Sequence, residues 1–299
     1  MVDFTILITT FNRCADLLIT LHAFAKAYPE VPIIICDDAS TDETIKSVRE
    51  NFPIIEIVQN KTNKGLIHNR NVLFSKVKTP YALSIDDDAN FLTGNSFENI
   101  LSYFEEHPKC AVLALRLYWG LERPETITTH QKPHQVDSFP GGAHALRMRA
   151  WREIPEYPAW YKFYGEEQFA SLQFFKKGWE VHYLPQVLVH HRVDNKARKK
   201  NKDYVRRTRR ALHASWSNIL IFFPLYTLPR KLMYSVYAQL RLKVFKGDFR
   251  AGLGLLGAII QVLVNLPKLI NKRNTLTRSE YLAYRELPPV LIYWNPKNK

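Results

Sequence analysis

Acidic residues that follow short apolar segments carry the most distinctive chemistry in this 299-residue sequence. Asp37 and Asp38 follow the apolar run that ends at Cys36, and a triplet beginning at Asp86 follows the run that ends at Ile85. Neighbouring carboxylates repel one another, so a stable protein keeps such clusters mainly for a cation or a hydrogen-bonding ligand. Carboxylate oxygens are the ligands that Mg²⁺ and Mn²⁺ prefer, usually together with substrate phosphates. The pattern predicts a metal and diphosphate site.

The elements that must position these carboxylates alternate between short strands and amphipathic helices. This order predicts an α/β fold with a mostly parallel sheet covered by helices. In such sheets ligands bind beyond the carboxyl ends of the strands, where both acidic clusters would lie. Ser40 and Glu43 have capping-box spacing, so the second helix is expected to begin there. The predicted strands are 4–8, 33–36, 54–58, 81–85 and 111–117, and the predicted helices are 15–27, 42–51, 66–77 and 97–106.

Composition and charge narrow the class of protein. A hydrophobic content of 46% excludes a disordered or fibrous chain, and three cysteines without metal-type spacing favour a reducing, cytoplasmic compartment. The first residues lack the basic segment of a secretory signal. Residues 1–190 carry 19 Lys and Arg against 23 Asp and Glu, whereas 191–299 carry 23 against 5. The basic last third predicts an anionic partner, either nucleic acid or a membrane surface.

Several motifs, in order, resemble those of family 2 glycosyltransferases of the GT-A fold. They are TILITTFNR, DDASTDET, NKGLIHNRN, SIDDDAN and YGEEQ, with a histidine pair downstream. The resemblance covers roughly residues 3–192 and implies a Rossmann-like GT-A catalytic domain over 1–192. Such a domain binds a nucleotide-diphosphate sugar across the strand ends and passes the sugar to an acceptor, usually with inversion at the anomeric carbon. Residues 193–299 are then expected to form a basic, helical, membrane-associating region.

The resemblance also assigns contacts to the donor. Thr10 and Phe11 would contact the base and ribose, with the aromatic ring against the base face. Asp38 would accept a hydrogen bond from a pyrimidine imide N–H, and Arg70 would face the nucleotide. A glycine pair resembles a loop beside the donor sugar, where the absence of side chains permits close approach. The complete predicted set of donor-binding residues is Thr10, Phe11, Arg13, Asp38, Arg70, Asp86, Asp87, Gly141 and Gly142.

The metal ligands follow from the same resemblance. Asp86 and Asp88 form a D-x-D pair, in which Asp86 leans towards the ribose and Asp88 holds the metal that bridges both phosphates. His191 resembles a histidine that completes the metal shell, and the histidine before it would point the other way if the strand continues. The expected cofactor is Mn²⁺ or Mg²⁺, which would offset the charge on the departing nucleoside diphosphate.

An inverting transfer also needs a base that takes the proton from the attacking hydroxyl. Glu166 and Glu167 occupy the position of the family's Glu-Asp pair, and Glu167 aligns with the usual Asp. This sequence departs from the pattern because Glu replaces Asp and Phe169 replaces an acidic residue two positions on. We expect Glu167 to be the base, with Glu166 as the alternative because the longer side chain shifts the oxygen.

Each motif also has a purely structural explanation. Asp37 and Asp38 could form a turn before a helix, and the triplet that begins at Asp86 could be a solvated loop. The Glu166 and Glu167 pair could be the first turn of a helix, which the helix dipole favours. Arg70 could be an ordinary helix residue.

The basic last third combines charge with apolar runs. Residues 192–210 contain ten Lys or Arg and two Asp, and two uncharged runs follow at 211–229 and 251–267. Neither run suits a membrane-spanning helix, because each is too short or is interrupted by proline, glycine or asparagine. Basic flanks with aromatic residues favour helices that lie in the membrane interface. A buried helical hairpin is the alternative for 251–267, and nucleic-acid binding is disfavoured because the aromatics cluster in apolar runs.

Together these features predict an inverting glycosyltransferase that uses a UDP- or dTDP-sugar. Its acceptor would be a hydroxyl of a glycan, lipid-linked, in surface polysaccharide synthesis. The enzyme would work at the cytoplasmic side of the cell membrane as a peripheral or monotopic protein, and the sequence carries no signal for an oligomeric state. The alternatives are a membrane-associated nucleotide-binding protein without turnover and a nucleotidyltransferase, whose glycine-rich loop is missing after the first strand.

Overall fold

The computed structural model describes residues 3–194 and 203–295 and confirms the predicted α/β fold. Within these residues a nine-stranded sheet is ordered β3-β2-β1-β4-β8-β6-β9-β5, with β7 also paired to β9. The strands are β1 (Phe4–Thr10), β2 (Ile33–Asp37), β3 (Glu56–Gln59), β4 (Tyr81–Asp86), β5 (Ala89–Phe91), β6 (Cys110–Trp119), β7 (His134–Gln135), β8 (Ala143–Arg147) and β9 (Glu180–His191).

The sheet has a parallel half and a mixed half. Strands β1 to β4 pair in parallel, as the alternation of strands and helices predicts. Strand β8 runs antiparallel to both β4 and β6, because the chain returns to the sheet without a crossover helix. Ile6 and Ile8 face one apolar layer and Leu7 faces the other, as the two-residue period of a strand requires.

Helices cover both faces of the sheet and form the region that follows it. The helices are α1 (Cys14–Ala27), α2 (Thr44–Asn51), α3 (Leu66–Lys76), α4 (Ser96–Glu106), α5 (Met148–Trp151), α6 (Glu166–Lys176), α7 (Tyr204–Phe222), α8 (Leu228–Leu242), α9 (Phe249–Asn271) and α10 (Arg278–Glu286).

Two elements begin at least two residues later than predicted. The second helix begins at Thr44 rather than at Ser40, because the Asp42 carboxylate accepts the hydrogen bond of the Thr44 backbone N–H at 3.1 Å. The Ser40 hydroxyl accepts instead from the Asn12 backbone N–H, so it caps no helix. The third strand begins at Glu56, since Ile54 lies 91% exposed in the turn before it.

Helix α7 is a core helix, so the prediction that 211–229 lies on a membrane is wrong for residues 211–222, whereas Leu225 and Tyr226 beyond the helix are exposed. Ile221 and Phe222 pack against Phe169 of α6, and Trp216 packs against Leu255 of α9. The apolar side chains of α7 therefore find their partners within the protein.

Helix α9 differs from α7 in exposing its apolar side chains. Among the described residues it is the one helix long and apolar enough to cross a membrane, with only 22% of its most apolar window buried. The alternative of a buried hairpin core for 251–267 is therefore wrong. Its exposed side chains include Phe249, Leu253, Leu256, Ile260, Leu263, Val264 and Ile270.

The end of the described chain returns to the sheet. The Tyr284 hydroxyl donates to the Asp137 backbone carbonyl at 2.6 Å, and Trp294 forms a bridge with Tyr118 of β6. The C-terminal segment thus lies beside the end of β6, beyond the residues of β6 that pair with β8. The domain division at residue 192 stays a prediction.

Candidate active site

Three neighbouring strands bring the acidic clusters to one edge of the sheet. In the parallel register Thr10 lies beside Asp37 and Thr9 beside Asp86, so the ends of β1, β2 and β4 meet. A cavity of about 1120 Å³ opens there, which we call the strand-end cavity. It is larger than the roughly 300–1,000 Å³ of ordinary ligand pockets. The predicted site residues that line it are Thr10, Phe11, Arg13, Asp38, Asp86, Asp87, Asp88 and His191.

Asp86, Asp88 and His191 form a compact group that fits a divalent cation. His191 Nε2 lies 2.9 Å from Asp88 Oδ1 and 3.5 Å from Asp86 Oδ2, and one ligand atom from each residue falls within 4.8 Å of the others. Strand β5 pairs Ala89 with His191, which holds the imidazole beside the acidic turn. His190 points away, with Nε2 2.8 Å from the Gly120 carbonyl oxygen, as predicted. Two carboxylates and an imidazole suit Mn²⁺ or Mg²⁺.

Arg13 holds the other side of the acidic turn. Its guanidinium lies 2.8 Å from Asp88 Oδ2 and 3.3 Å from Asp87 Oδ1. Burial would raise the pKa of Asp88, but the hydrogen bond with His191 and the charges of His191 and Arg13 lower it to about 2. Burial raises the pKa of Asp87 to about 7, and its Oδ2 accepts a hydrogen bond from the Thr10 hydroxyl at 2.8 Å. Asp87 and Thr10 are therefore hydrogen-bonded to each other, so ligand binding is not the one interaction open to them.

Arg70 lies beneath the strand-end cavity rather than on its lining. It is 3% exposed, and its guanidinium lies 2.9 Å from Glu166 Oε1 and 3.4 Å from Glu167 Oε1. The other guanidinium nitrogen lies 3.2 Å from Asp86 Oδ1 and donates to the Gly141 carbonyl at 2.6 Å. One buried cation thus joins the metal group to the glutamate pair, and the prediction that Arg70 faces the nucleotide stays untested.

Glu166 and Glu167 form the first turn of α6, where the helix dipole also stabilises them. Their exposures differ, since the Glu166 side chain is 1% exposed and the Glu167 side chain is 20% exposed. Burial raises the pKa of Glu166 well above its usual range, and the charge of Glu167 raises it further. Burial also raises the pKa of Glu167, although Arg70 opposes that change. The more accessible carboxylate belongs to Glu167.

The two predicted glycines permit close packing behind the site. A Cβ at Gly141 would lie 2.0 Å from Glu167 Oε1, so any other residue would displace that carboxylate. A Cβ at Gly142 would lie 3.1 Å from His191 Nδ1. The Gly142 carbonyl also accepts from the Asp86 backbone N–H at 3.0 Å. The loop positions the two carboxylate groups relative to each other, and its contact with a donor sugar stays a prediction.

Asp38 fastens a loop at the rim of the strand-end cavity. Its Oδ1 accepts from the Lys64 backbone N–H at 2.7 Å and its Oδ2 from the Gly65 backbone N–H at 2.9 Å. Burial would raise its pKa, but these and further hydrogen bonds lower it. Phe11 lies nearby and is 44% exposed, so its ring is open to a ligand. The contact of Asp38 with a pyrimidine is untested.

Several basic residues on the cavity lining had no motif to identify them. Lys162 follows a 3₁₀ turn, and Arg206 and Arg210 lie on the first turns of α7. The charge run 192–210 was the one available signal for the two arginines, although it pointed to a lipid surface. Residues 195–202 of that run lie outside the described residues.

The fold and the site define a class of protein, the GT-A-like glycosyltransferases. The mannosyltransferase PcManGT of Pyrobaculum calidifontis, solved with GDP-Man and Mn²⁺, is similar with a TM-score of 0.55 and 13% identity over 95% of this chain and 83% of that one. GalNAc-T7, solved with UDP, GalNAc and Mn²⁺, is similar with a TM-score of 0.54 and 16% identity over 64% of this chain and 43% of that one. At these identities the likeness shows the fold alone.

The family follows from the sequence match. Residues 5–184 match the model of glycosyl transferase family 2, and the chain belongs to that family. Human beta-1,4 N-acetylgalactosaminyltransferase 1 is 29% identical over 148 residues, which are 48% of this chain and 26% of that protein. The chain therefore spans about a quarter of the length of that relative.

Proposed function

We propose that this protein is an inverting glycosyltransferase that moves a sugar from a nucleotide-diphosphate donor to a hydroxyl of a glycan acceptor. One observation carries the proposal. The Arg70 guanidinium contacts both Asp86 of the metal group and Glu167, the accessible glutamate. A single guanidinium therefore joins the proposed diphosphate site to the proposed general base.

The strand-end cavity would hold the donor. Asp86, Asp88 and His191 would hold Mn²⁺ or Mg²⁺, which when bound would neutralise charge on the departing diphosphate. The exposed ring of Phe11 would pack against the nucleobase of the donor. Arg206 and other basic side chains of the lining would contact its phosphate oxygens. The GDP-Man and UDP of the two similar structures leave the nucleotide open, and a UDP- or dTDP-sugar remains our proposal.

Glu167 would act as the base. The acceptor hydroxyl oxygen attacks the anomeric carbon from the face opposite the diphosphate, and Glu167 takes its proton. The bond from the anomeric carbon to the phosphate oxygen breaks as the new bond forms, and its electron pair leaves with the nucleoside diphosphate. Glu166 is held by Arg70 at 2.9 Å and is almost fully buried, so we assign it to positioning rather than to proton transfer.

Nucleotide binding tests the donor site. Calorimetry with UDP, dTDP and GDP, with and without Mn²⁺, should show metal-dependent binding of one nucleotide. Asp88→Asn should lose it, while Glu167→Gln should keep it and lose transfer, as only the base is removed. Glu105→Gln, on the exposed face of α4, is the matched control. Absence of binding by the intact protein to all three nucleotides would overturn the proposal.

The same test separates the alternatives. A binding protein without turnover has no need of Glu167, so Glu167→Gln would then change nothing. A nucleotidyltransferase would release diphosphate instead of a nucleoside diphosphate. The identity of the released product, measured by chromatography, decides between these and a sugar transfer.

We further propose that the acceptor is lipid-linked and that the enzyme docks on the cytoplasmic membrane face. The exposed apolar side of α9 and the basic composition of the last third support this proposal. Leu256→Ser combined with Leu263→Ser should weaken binding to phosphatidylglycerol vesicles at least tenfold. Ile19→Ser, an exposed apolar position on α1, is the control. Equal flotation of the wild type and the α9 variant would contradict docking through this helix.

A further inference from the structure

A second cavity lies beside the strand-end cavity and has no part in donor binding as described above. It measures about 1210 Å³, and we call it the aromatic cavity. Its walls come from the end of β6, the first half of α7, the end of α8 and the returning C-terminal segment. Its aromatic lining residues among those described are Tyr118, Trp119, Tyr164, Tyr204, Tyr293 and Trp294.

The two cavities share a thin wall. Leu121 lines the strand-end cavity and Glu122 the aromatic one, and the same alternation occurs at Phe163 and Tyr164. Tyr164 immediately precedes the Gly165 turn that starts α6 and its glutamate pair. The Trp119 ring lies edge-on to the His191 ring of the metal group, with centroids 5.7 Å apart. A molecule in the aromatic cavity would therefore contact Trp119, whose ring meets the metal group, and Tyr164, which lies three residues before Glu167 in the chain.

The aromatic lining suits a sugar. Trp119 and Tyr293 stack with ring centroids 5.2 Å apart, and Tyr293 is 53% exposed, so part of this pair remains open to a ligand. Tyrosine and tryptophan combine an apolar ring face with a polar group, which matches the C–H face and hydroxyls of a pyranose. Gln239, which carries an amide group, also lines the cavity.

Basic side chains add a place for phosphate. Arg207 and Lys243 are half-buried in the walls, and Arg207 Nε donates to the Tyr164 hydroxyl at 2.9 Å, which orients the guanidinium. Arginine and lysine are the usual phosphate-binding side chains. Glu122 and Glu125 also line the cavity, but they are exposed on the loop after β6, where water screens their charge.

The aromatic cavity also adjoins an apolar surface. Gln239 and Lys243 lie one turn apart on α8 and its C-cap, and both line the cavity. The same helix exposes Met233 and Tyr237, at 71% and 51%, and Phe245 just beyond it is 76% exposed. Sugar-binding rings, phosphate-binding side chains and an apolar surface thus follow one another along this side of the protein.

We propose that the aromatic cavity binds the sugar-phosphate end of a lipid-linked acceptor. The sugar lies against Trp119 and Tyr293, the phosphate contacts Arg207 and Lys243, and the lipid extends along the exposed side of α8. This inference rests on the proposed function, since it identifies the acceptor site of the same transfer. The acceptor hydroxyl would then reach Glu167 past Tyr164, at the wall that the two cavities share.

The test measures probe binding to the full chain with the strand-end cavity filled by Mn²⁺ and the nucleotide that binds. The probes are farnesyl diphosphate-linked glucose, galactose and N-acetylglucosamine, titrated by calorimetry. At least one should bind ten times more tightly than farnesyl diphosphate alone, the methyl glycosides or inorganic phosphate. Lys243→Ala and Tyr293→Ala should each raise its Kd at least tenfold and leave nucleotide affinity within twofold. Lys246→Ala and Tyr234→Ala, exposed and outside the cavity, are the matched controls.

Three results would overturn the proposal. The first is that none of the linked sugars binds the nucleotide-loaded protein. The second is that Lys243→Ala and Tyr293→Ala bind the probe as their controls do, which would place the probe elsewhere. The third is that hexose 1-phosphates bind as tightly as the farnesyl-linked sugars, which would make the ligand a soluble sugar phosphate. Failure of the proposed function differs from all three, because the protein would then bind no nucleotide in the loading step.

Discussion

Two arginines organise the carboxylates of this site in different surroundings. Arg13 has a side chain that is 40% exposed and contacts Asp16, Asp87 and Asp88. Arg70 has a side chain that is 4% exposed and contacts Asp86, Glu166 and Glu167. Each guanidinium therefore contacts three carboxylates. The Arg13 cluster lies at the open rim of the strand-end cavity, and the Arg70 cluster lies beneath the cavity.

The difference in exposure indicates which of the two arginines the folded protein needs more to compensate its carboxylates. Water reaches Arg13, and a divalent cation at Asp88 would supply positive charge to the same cluster. Among the described residues Arg70 is the one cation in an ion pair with Glu166 or Glu167, so its guanidinium compensates their charge. Exposed ion pairs contribute little to stability, whereas removing one partner of a buried pair leaves an uncompensated charge in a low dielectric. We therefore expect the two clusters to respond differently to substitution, metal and pH.

Arg70→Met should have the largest effect. The variant removes the buried cation beside Asp86, Glu166 and Glu167, and we expect the free energy of unfolding to fall by about 3–5 kcal/mol, with transfer activity lost. Urea unfolding measures the change. Arg70→Lys keeps the charge but loses the second set of contacts, so its loss should be smaller. Equal urea midpoints for Arg70→Met and the wild type would contradict the comparison.

Gly141→Ala should separate positioning from charge in the Arg70 cluster. The new Cβ would lie 2.0 Å from Glu167 Oε1, so the carboxylate must move. Forcing an extra methyl into packed structure costs about 1–3 kcal/mol. We expect the transfer rate to fall at least a hundredfold while Mn²⁺-dependent nucleotide binding persists. Gly94→Ala is the control, because a Cβ there meets nothing within 4 Å. An unchanged rate in Gly141→Ala would show that Glu167 needs no fixed position.

Glu166 should make stability depend on pH. Burial raises its folded-state pKa above the ordinary value of 4.5, so the folded protein holds a proton that the unfolded chain loses. Its contribution is fully present below pH 4.5 and is lost as the pH rises through the folded-state pKa. Glu166→Gln does not titrate, so between pH 5 and pH 8 the wild type should lose about 1–2 kcal/mol relative to this variant. Glu105→Gln should follow the wild type, and parallel curves for all three proteins would contradict the assignment.

Local sequence patterns were enough to predict which strands carry the acidic residues of the site. The apolar runs of β1, β2 and β4 end in acidic residues, and parallel strands align their carboxyl ends, so the acidic edge followed from the sequence. The resemblance supplied His191, whose Nε2 lies 2.9 Å from Asp88 Oδ1, while its role as a metal ligand stays a prediction. These predictions succeed because each depends on residues adjacent in the chain or on a motif.

The partners of Arg70 could not be predicted, because they come from distant segments. Glu166 lies 96 residues away in the sequence and Gly141 lies 71 away. The runs in α7 and α9 are both free of charge over long stretches, yet one is buried and the other exposed. Which helix finds apolar neighbours depends on tertiary packing that periodicity does not encode. The same limit explains the capping-box error at Ser40, whose hydroxyl accepts a hydrogen bond from the distant Asn12 backbone N–H.

Arg13→Ala should have the smallest effect and should respond to metal. The side chain is partly solvated, so we expect the free energy of unfolding to fall by about 1 kcal/mol or less in the absence of divalent cations. Saturating Mn²⁺ should remove most of that difference, because the cation binds the native state and takes over charge compensation at Asp88. Arg13→Lys controls for the charge itself. The same addition should leave the deficit of Arg70→Met in place, since its glutamates are not ligands of the metal group. Equal rescue of both variants by Mn²⁺, measured by urea unfolding, would show that the two arginine clusters are one electrostatic unit.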